Sequence, residues 1–246
     1  MTRPVDQDDL DPTRRDVVRL LGSFAAAGIL GGCAGAGARS ASESPLTPAS
    51  PVGSCVVRPQ QTEGPFFVDE KLNRADLRSD PVNGLARPGV PLSLSFRVSR
   101  TSAGMCGPLV GALVDVWQCD AFGAYSDVAG SSGSRFLRGY QVTDDAGAVR
   151  FTTIYPGWYS GRAVHIHFKI RSAPGSVTRL EFTSQLYFDD ALTDSVYTQA
   201  PYNSRGRRDT TNQRDGVFAS GGAQLLLPVT QDGSGYAGTF DIALQV

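Results

Sequence analysis

Histidine is scarce in this chain: only two of the 246 residues are histidines. Charge of one sign is also lacking, because 23 basic and 24 acidic residues give a formal net charge of −1. That balance argues against a strongly basic nucleic-acid-binding surface and against an acidic tail. No apolar run approaches the ~20 residues that a membrane-spanning helix needs. With 41% hydrophobic residues, the chain has the composition of a globular protein.

The first 33 residues are predicted to be an export signal outside the fold. Arg14 and Arg15 precede a moderately apolar run over residues 20–30, an arrangement typical of twin-arginine signals. The "LGGC" that follows resembles a lipoprotein cleavage box in which Cys33 would be acylated. We therefore expect an exported protein, periplasmic or on the cell surface, with a lipid anchor to the membrane at Cys33. A disordered arm with a short amphipathic helix is the alternative.

Residues 34–54 are mostly Ala, Gly, Ser and Pro and contain almost no large apolar side chain. This composition cannot bury a core, so these residues are predicted to be a flexible linker. The folded domain then covers residues 55–246, a length suited to one domain. The abundance of glycine and proline favours many turns between short strands over long helices.

Three cysteines lie in the predicted domain: Cys55, Cys106 and Cys119. An oxidising compartment favours a disulfide among them. Cys106 and Cys119 flank the strand-like run "LVGALVDVWQ". When extended, such a run holds their Cα atoms roughly 40 Å apart, far beyond the ~7 Å limit for a bridge. Cys55 is therefore expected to pair with one of the other two, which leaves one thiol free.

Alternating apolar residues predict a series of strands. The pattern is clear in "PLSLSFRVS" and in the C-terminal "GTFDIALQV". Between them lie "LVGALVDVWQC", "FLRGYQVT", "AVRFTTIY", "AVHIHFKI", "RLEFTSQLYF" and "AQLLLPVTQ". Only "FDDALTDSVYTQ" has a helical period. About eight strands separated by turn residues predict an all-β fold, an antiparallel β-sandwich with long loops around its active site.

Both histidines lie in "GRAVHIHFKI", as His165 and His167. Residues i and i+2 of a strand point to the same face, about 6.5 Å apart, so the imidazoles project side by side. Two neutral imidazoles placed in this way suit one metal ion, whereas two half-exposed strand histidines are the alternative. Further ligands are required, and Tyr125 and Tyr159 are candidates because both lie in glycine-containing loops. Such tyrosines also serve as packing residues.

Four segments occur in the order "QTEGPFFVD", "PLVGALVDVWQCDAFGAYSDV", "RGYQVTDDAGAVRFTTIYPGWYSGRAVHIHFKI" and "SQLYFDDALTD". Together they resemble the intradiol ring-cleavage dioxygenases, the family of catechol and protocatechuate dioxygenases. The resemblance covers almost all of residues 55–246 and fits the exported bacterial branch best. It implies a β-sandwich with one non-haem Fe(III). It also implies that a catechol-type diol and O2 are the substrates and that ring cleavage between the two hydroxylated carbons yields a muconate-type diacid.

The resemblance also implies roles for particular residues. The iron ligands would be two tyrosines and two histidines: Tyr125, Tyr159, His165 and His167. Arg162 and Gln185 match the family's active-site arginine and glutamine, which would stabilise developing negative charge. Tyr159 would also accept the proton of the second substrate hydroxyl. Because the pKa of free tyrosine is near ~10, a hard trivalent cation is needed to deprotonate it.

Two other functions are compatible with these residues. A ferrous oxygenase would combine the histidine pair with a carboxylate such as Glu181 or Asp189, but it leaves both tyrosines without a role. A non-catalytic exported β-sandwich that serves as a binding module is the third interpretation. Only five residues separate Tyr159 from His165, fewer than in the well-characterised family members. Since this segment forms part of the pocket wall, the identity of the diol does not carry over.

Overall fold

A computed structural model describes residues 55–128, 130–177 and 179–246. The predicted signal over residues 1–33 with Cys33, and the predicted linker over 34–54, lie outside these residues. The described strands form two sheets. No helix among the described residues has the length and apolarity needed to cross a membrane.

The strands, in chain order, are β1 (Pro91–Ser102), β2 (Met105–Pro108), β3 (Leu113–Trp117), β4 (Arg138–Val142), β5 (Ala148–Ile154), β6 (His165–Arg171), β7 (Glu181–Tyr187), β8 (Val229–Asp232) and β9 (Gly235–Gln245). The first sheet has the order β2-β1-β9-β8, with β5 also paired to β1, and the second has the order β4-β3-β6-β7. In the described part of the chain, the α-helix α1 (Asp190–Val196) follows β7 directly. Short 3₁₀ helices cover Tyr202–Arg205, Asn212–Arg214 and Gly222–Leu225.

The core lies between the two sheets. Phe96 of β1 packs on Phe168 of β6 with ring centroids 5.3 Å apart, and Phe168 packs on Phe240 of β9 at 5.7 Å. All three rings are buried, and each such burial contributes roughly 1.5–3 kcal/mol. The alternation of apolar residues therefore predicts the inward faces of these strands, and the predicted β-sandwich is confirmed.

Three features differ from the sequence prediction. Strands β1 and β9 are parallel, because the chain crosses to the second sheet between them and returns in the same direction. The short strand β2 was not predicted; it forms an antiparallel hairpin with the end of β1. The predicted strand "AQLLLPVTQ" begins instead as the 3₁₀ helix at Gly222–Leu225, which follows Gly221 in a left-handed conformation with φ of 90°.

Two local predictions are confirmed. The helical segment forms as α1, and Asp189 caps it by accepting a hydrogen bond from the Leu192 amide at 2.9 Å. Cys55 pairs with Cys106, while Cys119 is a buried free thiol. The disulfide attaches the start of the described chain to β2.

Candidate metal centre

His165 and His167 begin strand β6 and lie on one face of the second sheet. Their side chains are almost completely buried, with exposed fractions of 2% and 1%, so they are not half-exposed strand residues. The alternate residues Ile166 and Phe168 belong to the core on the opposite face. The two-residue period of the strand thus separates chemistry from packing.

Two imidazole nitrogens and one phenol oxygen meet at this face. His165 Nε2 lies 3.0 Å from His167 Nε2 and 3.1 Å from Tyr159 Oη. His165 Nδ1 lies 2.6 Å from the carbonyl oxygen of Ala163. Because a carbonyl only accepts, Nδ1 carries the proton and Nε2 presents its lone pair to the other two groups.

Tyr125 closes the site from the loop between β3 and β4. Its hydroxyl is buried and has no hydrogen-bond partner among the described residues. The ring stacks on Phe66 at 4.4 Å and meets the ring of Tyr159 edge-on at 5.8 Å. A buried hydroxyl without a partner costs about 1–3 kcal/mol unless something else binds it, and a metal ion would do so.

Glycines allow the two tyrosine-bearing loops to interlock. A Cβ at Gly157 would lie 2.3 Å from the carbonyl oxygen of Asp120, and one at Gly123 would lie 2.3 Å from that of Trp158. Each loop therefore has glycine where the backbone of the other passes. The Gly157 amide donates to the Asp120 carbonyl at 3.1 Å. This contact joins the loop of Tyr159 to the loop of Tyr125.

Arg162 spreads its guanidinium across the site. Nε donates to Asp215 at 3.0 Å, and one terminal nitrogen donates to Gln185 Oε1 at 2.5 Å. The other terminal nitrogen lies 3.4 Å from Tyr159 Oη. Asp215 is fully buried and also accepts from the Ala163 amide at 2.8 Å. The cation is therefore fixed beside the Tyr159 oxygen.

Gln185 is held in one orientation. It pairs with His167 across β6 and β7, and its Nε2 donates to the carbonyl of Thr62 at 2.9 Å. Its Oε1 accepts from Arg162 and from the Tyr187 hydroxyl, the latter at 3.1 Å. The Gln185 amide oxygen therefore faces the Arg162 guanidinium, and the amide nitrogen faces the segment that contains Thr62.

Burial sets the charge of the four candidate ligands. It lowers the pKa of His165 to about 3, with the charge of Arg162 acting in the same direction. It also lowers the pKa of His167 well below its ordinary value. Burial raises the pKa of Tyr159 to about 12, although Arg162 opposes the shift, and it raises the pKa of Tyr125 well above its usual range.

The structure thus brings together the six residues that the resemblance names. The donor set is two neutral imidazoles and two phenols that only a strong Lewis acid would deprotonate. The unpartnered Tyr125 hydroxyl and the short distances between nitrogen atoms fit one metal ion among them. This donor set fits ferric iron.

Three neighbours of the site were missed by the sequence reasoning. Trp117 stacks parallel on the His167 ring, with centroids 4.9 Å apart. Tyr187 shares a strand face with Gln185, a placement that the two-residue period could have indicated. Asp215 lies 53 residues beyond Arg162, and no local pattern marks it.

The carboxylates of the ferrous alternative are engaged elsewhere. Asp189 caps α1, and Glu181 pairs with Lys169 at 3.1 Å. Across the part of the chain that the structure describes, no group of three or more His, Cys, Asp or Glu side chains could hold a metal ion. A site of two histidines and a carboxylate therefore lacks its third ligand there.

Comparison with known proteins places the chain in a family. The family model described as "Dioxygenase" matches residues 62–207. An intradiol ring-cleavage dioxygenase from Tetranychus urticae is 30% identical with a TM-score of 0.68, covering 78% of this chain and 95% of that one. The chain belongs to the intradiol ring-cleavage dioxygenase family.

Other relatives agree with this placement. The dioxygenase domain of a dioxygenase and carbohydrate-binding protein fusion from Streptomyces sp. SirexAA-E is 34% identical with a TM-score of 0.56, covering 78% of this chain and 99% of that one. A catechol 1,2-dioxygenase of Candida albicans is 37% identical over 112 residues, covering 37% of this chain. The chain spans about a third (36%) of the length of that curated intradiol relative.

Proposed function

We propose that this intradiol-family protein is a non-haem ferric dioxygenase. It would cleave catechol-type diols with O2 between the two hydroxylated carbons and release muconate-type diacids. The observation that carries the proposal is the meeting of His165 Nε2 with His167 Nε2 at 3.0 Å and with Tyr159 Oη at 3.1 Å, beside the unpartnered Tyr125 hydroxyl. Membership of the family supports the same reaction class.

The proposed iron ligands are the two phenols and two imidazoles of the site: Tyr125, Tyr159, His165 and His167. When bound, Fe(III) would hold both oxygens of the diol and withdraw electron density from its ring, which makes the ring reactive towards O2. Two phenolates offset two of the three metal charges. This balance favours the ferric state over the ferrous state.

Tyr159 is the proposed proton acceptor. As a phenolate its Oη would take the proton of the second diol hydroxyl, and the resulting phenol keeps a partner because Arg162 lies 3.4 Å away. Tyr125 has no such neighbouring cation at hydrogen-bonding distance among the described residues.

Arg162 would stabilise negative charge that develops on the diol, and Gln185 would assist by holding the guanidinium through its Oε1. The guanidinium is already fixed by Asp215 and by Gln185 Oε1. Its charge therefore requires little reorganisation as the reaction proceeds, and such preorganised groups contribute on the order of 10²–10³ in rate.

Export by the twin-arginine route and acylation of Cys33 are part of the proposal. The Cys55–Cys106 disulfide supports an oxidising compartment. Membrane fractionation of cells that express the full chain tests this point. Cys33→Ser should move the protein from the membrane to the soluble exported fraction, and unchanged partitioning would contradict lipid anchoring.

The reaction is tested by oxygen uptake on the purified protein reconstituted with ferric iron. The substrate panel is catechol, protocatechuate, hydroxyquinol and chlorinated catechols. We expect consumption of one O2 per diol and a ring-opened diacid heavier than the diol by two oxygen atoms. Dependence on ferrous iron or cleavage outside the two hydroxylated carbons would contradict the proposal, and failure to bind iron would favour the binding module.

A further inference from the structure

The face of β6 that carries the histidines continues into a buried cation. His165, His167, Lys169 and Arg171 alternate along this face. The Lys169 side chain is only 7% exposed, although lysine is rarely buried without a partner. A cation one strand period beyond His167 therefore needs a structural reason.

Lys169 is held by two carboxylates and a ring. It forms ion pairs with Glu63 and with Glu181, the latter at 3.1 Å, and lies 4.3 Å from the centroid of Phe67. Glu181 is 68% exposed whereas Glu63 is 38% exposed, so the pair with Glu63 is less screened by solvent. The Lys169–Glu63 pair is therefore the stronger constraint.

Glu63 belongs to a loop segment, residues 61–67, that covers this face; we name it the strap. At its start, the backbone N–H of Gln61 donates to the Thr183 carbonyl at 3.0 Å. Near its end, Arg138 donates to the carbonyl of Phe66 at 3.3 Å. Glu63 lies between these attachments.

The strap residues next to Glu63 touch the metal centre. Thr62 accepts from Gln185, and Phe66 stacks on Tyr125. Gly64 lies against His167, since a Cβ at Gly64 would be 3.4 Å from Cε1 of that ring. A small displacement of Glu63 would therefore disturb the strap's contacts with His167, Tyr125 and Gln185 together.

We propose that Lys169 is a positioning residue, which fixes Glu63 and thereby holds the strap against His167, Tyr125 and Gln185. The kinetic consequence rests on the proposed dioxygenase function; the structural consequence does not. A displaced strap loosens the wall beside the metal centre, and small errors in position there reduce productive binding of the diol.

The test compares four variants: Lys169→Met, Glu63→Gln, Lys169→Arg and the control Arg97→Met. Arg97 pairs with Asp241 in the other sheet and does not touch the strap. The first readout is amide hydrogen exchange of the strap in the metal-free protein. We expect Lys169→Met and Glu63→Gln each to raise strap exchange by about tenfold or more, with the core strands unchanged. Lys169→Arg should retain most of the protection.

The second readout is steady-state kinetics on the iron-loaded enzyme. We expect KM for the diol to rise about tenfold in Lys169→Met and Glu63→Gln, with kcat within about threefold. A fifth variant that combines Lys169→Met with Glu63→Gln should resemble Lys169→Met alone, because loss of the lysine already removes its contact with Glu63. Arg97→Met should leave both constants unchanged.

Two results would overturn the proposal. One is strap exchange in Lys169→Met equal to that in Arg97→Met. The other is a uniform rise over the whole sandwich, which would make Lys169 a general stabilising residue. If strap exchange rises locally but no variant or parent cleaves diols, the positioning role stands and the proposed function fails.

Discussion

The seven residues of β6 alternate between two faces that serve different purposes. The inner face buries Ile166, Phe168 and Ile170 in the core. The outer face buries His165, His167 and Lys169 under the strap and the tyrosine loops. Apolar contacts suffice on the first face, whereas every outer side chain depends on a specific partner. Stability should therefore be sensitive to the inner face and chemistry to the outer face.

The largest effect is expected from His167→Ala. Loss of one of the four proposed ligands should abolish tight iron binding and lower ring cleavage by more than about 10³-fold, since the loss of residues that only support the ligands costs 10–100-fold. Metal analysis after dialysis and oxygen uptake measure these two quantities. The metal-free variant should remain folded by circular dichroism. Full iron occupancy in this variant would show that His167 is not a ligand.

Phe168→Ala is the matched change on the inner face. Truncation of a buried phenylalanine leaves a cavity and should lower the free energy of unfolding by about 3–5 kcal/mol. Urea denaturation of the metal-free protein measures this. Iron per folded molecule should stay the same. If Phe168→Ala lowers the free energy of unfolding of the metal-free protein by less than His167→Ala does, the division between the two faces is wrong.

Arg162→Met removes the cation beside Tyr159 without removing any of the proposed iron ligands. We expect kcat/KM to fall by about 10²–10³-fold, the magnitude typical of a lost electrostatic stabiliser. The iron content and the visible spectrum should change little, which distinguishes this variant from the ligand variants. Arg208→Met is a control, because that arginine pairs with Asp190 and Asp194 on α1. A loss of iron in Arg162→Met would assign it a structural role.

The smallest effect is expected at Arg171, the last residue of β6, and concerns how the stability of the fold changes at low pH. A hydrogen bond from Arg171 lowers the pKa of Asp69 below its ordinary value. Because the folded-state pKa is lower than the unfolded one, this stabilisation is present above about pH 4 and is lost as pH falls through the folded-state pKa. The stability difference between parent and Asp69→Asn should therefore shrink on acidification. A constant difference would contradict this linkage.

Sequence patterns predict the strands and the shared face of the two histidines, because alternation is a local property of the chain. They also predict that Cys106 and Cys119 do not pair. They do not predict the parallel pairing of β1 with β9 or the contact of Asp215 with Arg162. These depend on how distant segments meet. Tyr125 and Tyr159 were only weak metal-ligand candidates from their glycine-containing loops, since a loop tyrosine carries no periodic signal, and the family resemblance is what assigned them as ligands.

The absorption spectrum of the iron-loaded protein tests the central claim most directly. Tyrosinate bound to Fe(III) gives a broad visible charge-transfer band, so the parent protein should be wine-red. Tyr125→Phe and Tyr159→Phe should each weaken or shift that band, whereas Tyr140→Phe, in β4, should leave it unchanged. A colourless protein with full iron occupancy, or a band that neither ligand substitution alters, would contradict the proposed iron centre.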